Sequence, residues 1–367
     1  MSATVTAQAL DQQTIGLPGW RIRAAKSSQL EDCCLIVATY CRPDDVRKLL
    51  LRLLRMRNIP SEVVIIDSSP GAETEQVVLE IANGSSLGFD LIYARSPKGL
   101  TRQRNAGIDI STKPIAFFLD DDALPMGEYF AEVRQIFIDD GAETIGAVGV
   151  CATNEMDKRI PVRWRIRRAL RLVPRNEPFI YNDVGTSAPT GLLKPFSGIR
   201  DVDLFPGYAF TVRRSVLNSM RFSEFFAGYS YGEDVEMALR IRQKWRVVNC
   251  GHARVVHNVS PGGRPAAYDK GQMEMINRYF IWNRYSSGAG WLDKVRFHLD
   301  LCFLFVIDVV WFAARPWRRH HLSHAFGLLS GVIRCSKAVP EWPEDEPRPR
   351  YCLEEAEHSN GRTTCLE

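Results

Sequence analysis

Short apolar runs alternate with helix-like segments along the first half of the chain. Four runs rich in β-branched and aromatic residues have the length of strands: Leu35–Thr39, Val63–Asp67, Leu91–Ala94 and Pro114–Leu119. Runs without polar alternation are typical of strands that are buried on both faces. The segments between them, such as Asp44–Arg57 with its leucine stripe, have a helical period. This alternation predicts an α/β fold with a doubly wound, mostly parallel sheet.

Polar residues follow three of these strands at the same predicted edge of the sheet. Thr39 ends the first run, Asp67 ends the second, and the fourth run continues into Asp120. Ligands of doubly wound sheets bind beyond the carboxyl ends of the strands. We therefore expect one crevice to contain all three positions.

Three consecutive carboxylates, Asp120, Asp121 and Asp122, stand after the fourth run and before Pro125. If the strand geometry continues, Asp120 and Asp122 point to the same side, because side chains alternate. Clustered carboxylates repel one another unless a cation lies among them, and such oxygen ligands suit Mg²⁺ or Mn²⁺. A solvated acidic turn that caps a helix explains the stretch equally well when it is taken alone.

Composition excludes several classes of protein. The nine cysteines of this 367-residue chain are odd in number and show no Cys-x-x-Cys spacing. This argues against a zinc ribbon or a disulfide scaffold and favours a reducing compartment. The net charge of +4 is small for the length and gives no indication of nucleic-acid binding. Residues 1–25 lack the basic start and apolar core of a secretory signal.

Two later segments suggest contact with a membrane surface. Residues 158–175 are rich in arginine, interleaved with tryptophan, isoleucine and leucine. This is typical of a segment that contacts anionic lipid, phosphate or nucleic acid, or of a solvated helix or mobile loop. Residues 297–319 join a long apolar run to several arginines. Asp300 and Asp308 interrupt that run, so it resembles an interfacial or re-entrant helix, or a helix buried in a protein interface.

An ordered set of motifs between about Leu35 and Asn258 resembles the family 2 glycosyltransferases of the GT-A fold. The set consists of Thr39–Pro43, Asp67, Gly99–Gly107, Asp120–Asp122, Gly207–Ala209, Glu233–Asp234 and His257. Each motif is weak alone, but their order and spacing are mutually consistent. The resemblance implies a GT-A, Rossmann-like doubly wound mixed sheet with a C-terminal helical appendage. It also favours the metal interpretation of the acidic stretch.

The resemblance implies a metal-assisted reaction of a nucleotide-diphosphate sugar. Asp120 and Asp122 form the expected D-x-D motif and would hold Mn²⁺ or Mg²⁺, with Asp122 the more direct ligand. Asp120 would contact the ribose or the metal. His257 occupies the position of a third metal ligand, although a lone histidine is equally well explained as structural. Asp121 belongs with the donor-binding residues and is not expected to touch the metal.

Further donor contacts are carried over on the same resemblance. Asp67 would contact the nucleobase imide, and Thr39 the nucleoside, with Tyr40 and Arg42 of the same motif beside it. Arg104 would lie near the base or the diphosphate, next to Asn105. Taken singly, Asp67 also fits a helix cap, and Arg104 fits a surface residue.

The acceptor hydroxyl must lose a proton when it attacks, and a nearby carboxylate supplies the base. Asp234 is the candidate, with Glu233 beside it in the first turn of a predicted helix. Adjacent helical residues point in different directions, so one acid is expected to be the base and the other to support the loop. A solvated first-turn acid is the alternative.

The sequence thus predicts an inverting glycosyltransferase that moves one sugar from a UDP- or dTDP-linked donor to a glycan or lipid-linked acceptor. It would be cytoplasmic and peripheral at the inner face of the cell membrane. The alternatives are a sugar-nucleotide nucleotidyltransferase, whose glycine-rich loop is missing after Thr39, and a non-catalytic GT-A-fold binding protein. Residues 242–246 lack the Gln-x-x-Arg-Trp spacing of processive relatives, which favours single-sugar transfer.

The expected division of the chain has four parts. They are an N-terminal arm at 1–30, a catalytic domain at 31–260, a helical and membrane-associating region at 261–340, and a mobile tail at 341–367. Within the catalytic domain, 31–125 would bind the nucleotide sugar and 126–260 the acceptor.

Overall fold

The computed structural model describes residues 7–10, 16–25, 30–173, 177–226, 228–286 and 288–335. The predicted tail at 341–367 lies outside the described residues. Within the described part, the strands are β1 Gln8–Ala9, β2 Gly19–Ile22, β3 Leu30–Thr39, β4 Pro60–Asp67, β5 Asp90–Arg95, β6 Ile115–Asp120, β7 Ala123–Met126, β8 Ile145–Ala152, β9 Ile199–Val202, β10 Ala209–Arg213 and β11 Arg246–His257.

Helices connect these strands and continue beyond the last one. They are α1 Pro43–Leu53, α2 Glu73–Gly84, α3 Leu100–Ile110, α4 Tyr129–Asp139, α5 Val162–Ala169, α6 Arg214–Ser219, α7 Glu233–Arg242, α8 Ala267–Tyr285, α9 Trp291–Ala314 and α10 His320–Cys335. A single 3₁₀ turn spans Thr190–Leu192 in the described chain. The expected α/β class with a C-terminal helical appendage is confirmed.

The described strands form one sheet in the order β1-β2-β5-β4-β3-β6-β10-β8-β11-β7, with β9 paired to β11. Strands β5, β4, β3 and β6 are parallel, and two apolar clusters cover the two faces of the sheet. In this register Thr39 pairs with Asp67, and Ala38 pairs with Asp120. The three strand ends therefore lie at one edge, as the sequence predicts.

Outside this core the sheet is mixed, as the resemblance implies, and only the pairing of β8 with β11 is parallel there among the described strands. Strand β10 runs antiparallel between β6 and β8, and β7 runs antiparallel to β11. Residues 123–126 form β7, so α4 begins only at Tyr129. Residues 246–257 form one strand, β11, with an irregular register against β8.

The predicted N-terminal arm contributes to the sheet instead of standing apart from it. Strand β2 pairs antiparallel with β5. Its Trp20 is buried and stacks on Tyr93 at 5.4 Å, and Ile22 is also buried. This apolar burial extends the sheet beyond β5.

Helices α8, α9 and α10 form the C-terminal appendage. Gly327 and Gly331 of α10 face the α8 backbone and Met275 so closely that a Cβ atom at either position would clash. Small residues of this kind allow two helices to pack at short range. Among the described helices, α9 alone is long and apolar enough to cross a membrane by length and composition.

Candidate active site

The ends of β6 and β11 bring two carboxylates and one imidazole together. Asp120 ends β6, Asp122 lies in the turn to β7, and His257 ends β11 opposite Ala123 of β7. One ligand atom from each of Asp120, Asp122 and His257 lies within 4.8 Å of the other two. The antiparallel pairing of β7 with β11 therefore brings His257 next to Asp120 and Asp122, although more than a hundred residues separate them in sequence.

His257 is held in one orientation by its neighbours. Its ring stacks on Tyr208 at 4.3 Å between centroids, and Nδ1 lies 2.7 Å from Oε1 of Glu155. The other nitrogen, Nε2, therefore points at Oδ1 of Asp122, 3.3 Å away. Burial disfavours the imidazolium, but the carboxylates of Asp122 and Glu155 outweigh it and raise the pKa of His257 to about 9. A carboxylate behind a histidine is the usual means of fixing a metal-ligating ring.

One oxygen of Asp122 has no hydrogen-bond partner among the described residues. This atom, Oδ1, is buried and faces His257, whereas Oδ2 accepts the backbone N–H of Ser260 at 2.7 Å. Burial opposes the charge of Asp122, but His257 and Ser260 lower the pKa of the carboxyl below its usual value. A buried, charged oxygen whose near neighbours are an imidazole nitrogen at 3.3 Å and a second carboxylate fits a divalent cation. The cluster therefore fits Mn²⁺ or Mg²⁺, and the imidazole suits Mn²⁺ better.

Asp121 points away from this cluster. Its Oδ2 accepts the hydroxyl of Thr39 at 2.8 Å, and its Oδ1 accepts Nη1 of Arg42 at 2.8 Å. Burial raises the pKa of Asp121 to about 7 against the opposing effect of Arg42. Thr39 and Asp121 thus bind each other in the interior, and the donor contacts expected of these two side chains stay predictions.

Arg42 connects the acidic turn to the loop that follows His257. Its Nη1 lies 3.4 Å from Oδ2 of Asp122, and its Nε and Nη2 donate to the carbonyl of Gly262 at 2.9 and 2.6 Å. Its neighbour Tyr40 is half-buried, with Nζ of Lys98 4.6 Å above its ring. Arg42 and Tyr40 both lie beside the cluster, where the predicted donor contacts require them.

Two predicted donor-contact residues already have hydrogen-bond partners in the interior, and their donor contacts stay predictions. Asp67 is fully buried, and its oxygens accept the N–H and hydroxyl of Ser69 and the hydroxyl of Tyr93. Asn105 is buried and exchanges two hydrogen bonds with the backbone of Phe222. Both side chains use their polar atoms to fix neighbouring backbone, because buried polar groups require partners.

Arg104 is a buried bridge between the two ends of the site. The guanidinium donates to Oε1 of Glu233 at 2.9 Å, to Oδ1 of Asp120 at 3.2 Å and to the carbonyl of Gly207 at 2.7 Å. It therefore neither sits on the surface nor points freely toward a diphosphate. Burial, with Asp234 adding to it, raises the pKa of Glu233 to about 8 although Arg104 opposes the rise. Glu233 is thus the supporting acid of the pair.

Asp234 presents its carboxylate to an open cleft. Among the described residues, its side chain accepts one hydrogen bond, from the N–H of Val235 at 2.9 Å. Burial raises the pKa of Asp234, and Arg104 opposes the rise. Gly207 lies so close that a Cβ atom there would come within 2.7 Å of Oδ2. The absence of a side chain at 207 therefore leaves room for this carboxylate.

A cavity of about 270 Å³ lies in front of Asp234. Its walls include Phe179, Phe205 and Tyr208, together with the hydroxyls of Ser187 and Thr190. Aromatic rings with a few polar groups are typical of small-molecule pockets. The cavity adjoins the metal-ligand cluster through Tyr208, which lines the cavity and stacks on His257.

Sequence reasoning missed Glu155 and Ser260. Glu155 lies 102 positions before His257, in a segment without a motif, so no local pattern indicates their contact. Ser260 contributes only its backbone N–H, which any residue except proline could supply.

Comparisons with known proteins agree with this geometry over part of the chain. Residues 34–198 match the family model described as Glycosyl transferase family 2. The match contains Asp120 and Asp122 but ends before Asp234 and His257, whose roles rest on the geometry. The search of curated proteins found no match.

Several solved structures are similar to the chain at low identity. A mannosyltransferase, PcManGT from Pyrobaculum calidifontis in complex with GDP-Man and Mn²⁺, has 16% identity and a TM-score of 0.49, with 85% of this chain and 89% of that chain covered. TarS from S. aureus, residues 1–349, has 16% identity and a TM-score of 0.41, with coverages of 84% and 93%. Glucosyl-3-phosphoglycerate synthase from Mycobacterium tuberculosis, with Mn²⁺ and UDP, has 15% identity and a TM-score of 0.42, with coverages of 69% and 79%.

Proposed function

Because residues 34–198 carry a glycosyl transferase family 2 domain, we propose that this enzyme moves one sugar from a nucleotide-diphosphate sugar to an acceptor hydroxyl. One observation carries the proposal: Arg104 contacts both Asp120 of the three-ligand cation cluster and the carbonyl of Gly207, which lies next to the carboxylate of Asp234. We place the donor diphosphate at the cation cluster and the acceptor at the carboxylate of Asp234.

The residues of the chain have distinct tasks in this proposal. Asp120, Asp122 and His257 hold a divalent ion, Mn²⁺ or Mg²⁺, which when bound neutralises the charge that develops on the leaving diphosphate. Asp234 takes the proton of the acceptor hydroxyl at its open carboxylate, and its raised pKa makes it a stronger base. Glu233 does not accept that proton in this proposal, because its carboxyl is bound by Arg104.

We propose direct displacement with inversion at the anomeric carbon. A single open carboxylate on the acceptor side suits activation of the acceptor in one step, whereas Glu233 is engaged by Arg104. The donor is proposed to be UDP- or dTDP-linked and the acceptor a glycan or a lipid-linked glycan. A cytoplasmic position at the inner face of the cell membrane is proposed as well, supported by the cysteines of the described residues, which are unpaired, and by the apolar helix α9.

A donor screen tests the reaction. The purified protein is given a panel of UDP-, dTDP- and GDP-linked sugars with and without Mn²⁺, and nucleotide release is measured. Asp122→Ala should lose the Mn²⁺-dependent release. Asp201→Ala is the control and should keep it, because Asp201 is an exposed carboxylate on β9 that pairs with Arg246 of β11. Equal activity of both variants would show that the ion site is elsewhere.

A second comparison tests the base. Asp234→Asn should lower transfer by about 10²–10⁴-fold, the usual contribution of general base catalysis, while the binding of free UDP or dTDP stays near wild type. A loss of nucleotide affinity of similar size would place Asp234 on the donor side instead. Pyrophosphate release from a nucleoside triphosphate and a sugar phosphate would indicate the nucleotidyltransferase alternative.

A further inference from the structure

The middle of helix α9 has two acids inside and several aliphatic side chains outside. Asp300 is fully buried and Asp308 is nearly so, whereas Leu299, Val306 and Val310 are about half exposed. A helix on the surface of a soluble domain normally has the opposite arrangement. The surroundings of the exposed face are therefore expected to be apolar.

The two buried acids fasten α9 to the rest of the protein along its length. Asp300 pairs with Arg167 of α5 and with Arg278 of α8, the latter at 2.9 Å. Asp308, two turns further on, lies 3.2 Å from Nδ1 of His321 and 2.6 Å from Nδ1 of His324 on α10. A transmembrane position of α9 would separate these pairs, and unpaired charges in a bilayer are costly.

The exposed apolar face continues from α9 onto α10. Phe326 and Leu329 of α10 are about half exposed and lie one turn apart. Together with Phe312 of α9 they line an open groove of about 860 Å³ between the helices. A contiguous apolar surface of this kind marks an interaction site.

Tryptophan and basic residues stand at the ends of this face. Trp291 begins α9 and Trp317 follows its end, and their side chains are 76% and 75% exposed. The turn after α9 also exposes Arg315 and Arg318, and Arg334 is exposed near the end of α10. Tryptophan at the ends of an apolar segment, with cations beside it, is typical of the interface between water and lipid.

We propose that the exposed face of α9 and α10 docks in the plane of an anionic lipid bilayer, without crossing it. The bilayer is favoured over a second copy of this chain because Arg315, Arg318 and Arg334 would meet like charges in a symmetric pair, whereas anionic lipid attracts each of them. The inference deepens the proposed function, because it specifies the surface on which a lipid-linked acceptor would be met. Its evidence is separate from that of the active site.

Vesicle co-sedimentation of the full chain tests the proposal. Phosphatidylcholine vesicles with and without phosphatidylglycerol are mixed with wild type and with Val306→Asp/Val310→Asp, and thermal unfolding controls for folding. The variant should bind more than tenfold more weakly, because the side chains no longer enter the apolar region. The matched control, Leu51→Asp/Ile138→Asp, alters equally exposed apolar residues of α1 and α4 and should bind as wild type.

A charge pair of variants tests the preference for anionic lipid. Arg315→Gln/Arg318→Gln should weaken binding to phosphatidylglycerol vesicles by about 30-fold, since each cation near the surface contributes about fivefold. Arg55→Gln/Arg57→Gln, at exposed arginines after α1, is the control and should have no such effect. Wild-type binding should also weaken as salt is raised.

Three outcomes would overturn the proposal. The first is that the wild type binds neither kind of vesicle. The second is that Val306→Asp/Val310→Asp binds vesicles as tightly as the wild type. The third is a stable dimer in solution that this variant dissociates. Activity on a water-soluble acceptor is measured in parallel and should be the same in all variants. A failure of docking with full activity therefore refutes only the membrane surface, and the reverse result refutes only the proposed reaction.

Discussion

Replacement of Arg104 by methionine tests how the two ends of the site are joined. The guanidinium is 3% exposed and donates to Glu233, to Asp120 and to the carbonyl of Gly207. Removal of one partner from a buried ion pair costs about 3–5 kcal/mol. We expect a loss in this range in the free energy of unfolding above pH 8, where the carboxyl of Glu233 is ionised in the folded state.

The cost of Arg104→Met should decrease as the pH is lowered. In the wild type, burial raises the pKa of Glu233 to about 8 even though Arg104 opposes the rise. Without the guanidinium this pKa rises further, and the folded state takes up a proton more readily. A protonated Glu233 no longer needs a cation, so the variant loses less stability at pH 6 than at pH 8.5.

Urea unfolding at both pH values measures the effect. Arg246→Met is the control, because Arg246 forms an exposed pair with Asp201 that is expected to contribute about 0–1 kcal/mol. Arg104→Lys should fall between the two, since lysine keeps the charge but cannot donate to three acceptors in a fixed geometry. If Arg104→Met cost no more than Arg246→Met, or if its cost did not change with pH, the bridge would not have the role described.

Three further predictions concern single positions. Glu155→Gln should weaken Mn²⁺ binding by about 10–100-fold in titration calorimetry, because it loosens the imidazole of the cluster; unchanged affinity would separate Glu155 from the metal site. Gly207→Ala should lower kcat by about 100-fold through displacement of Asp234, whereas Gly141→Ala, with no atom near the added Cβ, should have no effect. The stabilisation due to Glu233 decreases as the pH rises from 4.5 to about 8, because the folded state keeps the proton. Urea unfolding of Glu233→Gln, which does not titrate, should therefore show a stability that increases relative to wild type over this window, and a constant difference would contradict the raised pKa.

The parallel core and its crevice could be predicted because the relevant signals are local. Each buried strand is a continuous apolar run with a polar residue at its end, so Thr39 and Asp120 were expected at the same edge. The order of the motifs then favoured a metal site over a helix cap as the interpretation of Asp120–Asp122. The same order indicated His257 and Asp234, which the structure places beside Asp122 and beside an open cavity.

The remainder depends on contacts that no local pattern contains. Strand β7 has four residues and pairs with β11, so its own sequence is too short to predict it. Asp67 and Asn105 match the family pattern in sequence, but their burial and hydrogen bonds are properties of the packed interior. Residue identity can indicate a role, but it does not show which polar atoms are already occupied.

Arg42 gives the acidic turn a consequence for the order of binding. Its guanidinium contacts Asp121 and Asp122 and also holds the carbonyl of Gly262, in the loop after His257. If the proposed ion binds Asp122, two cations compete for one carboxylate, and the doubly charged one has the larger attraction. The ion would compete only with the longer of the two carboxylate contacts of Arg42, so its bonds to Asp121 and to the carbonyl of Gly262 would keep the loop in place. In kinetic terms, the loop would be ordered before the nucleotide arrives.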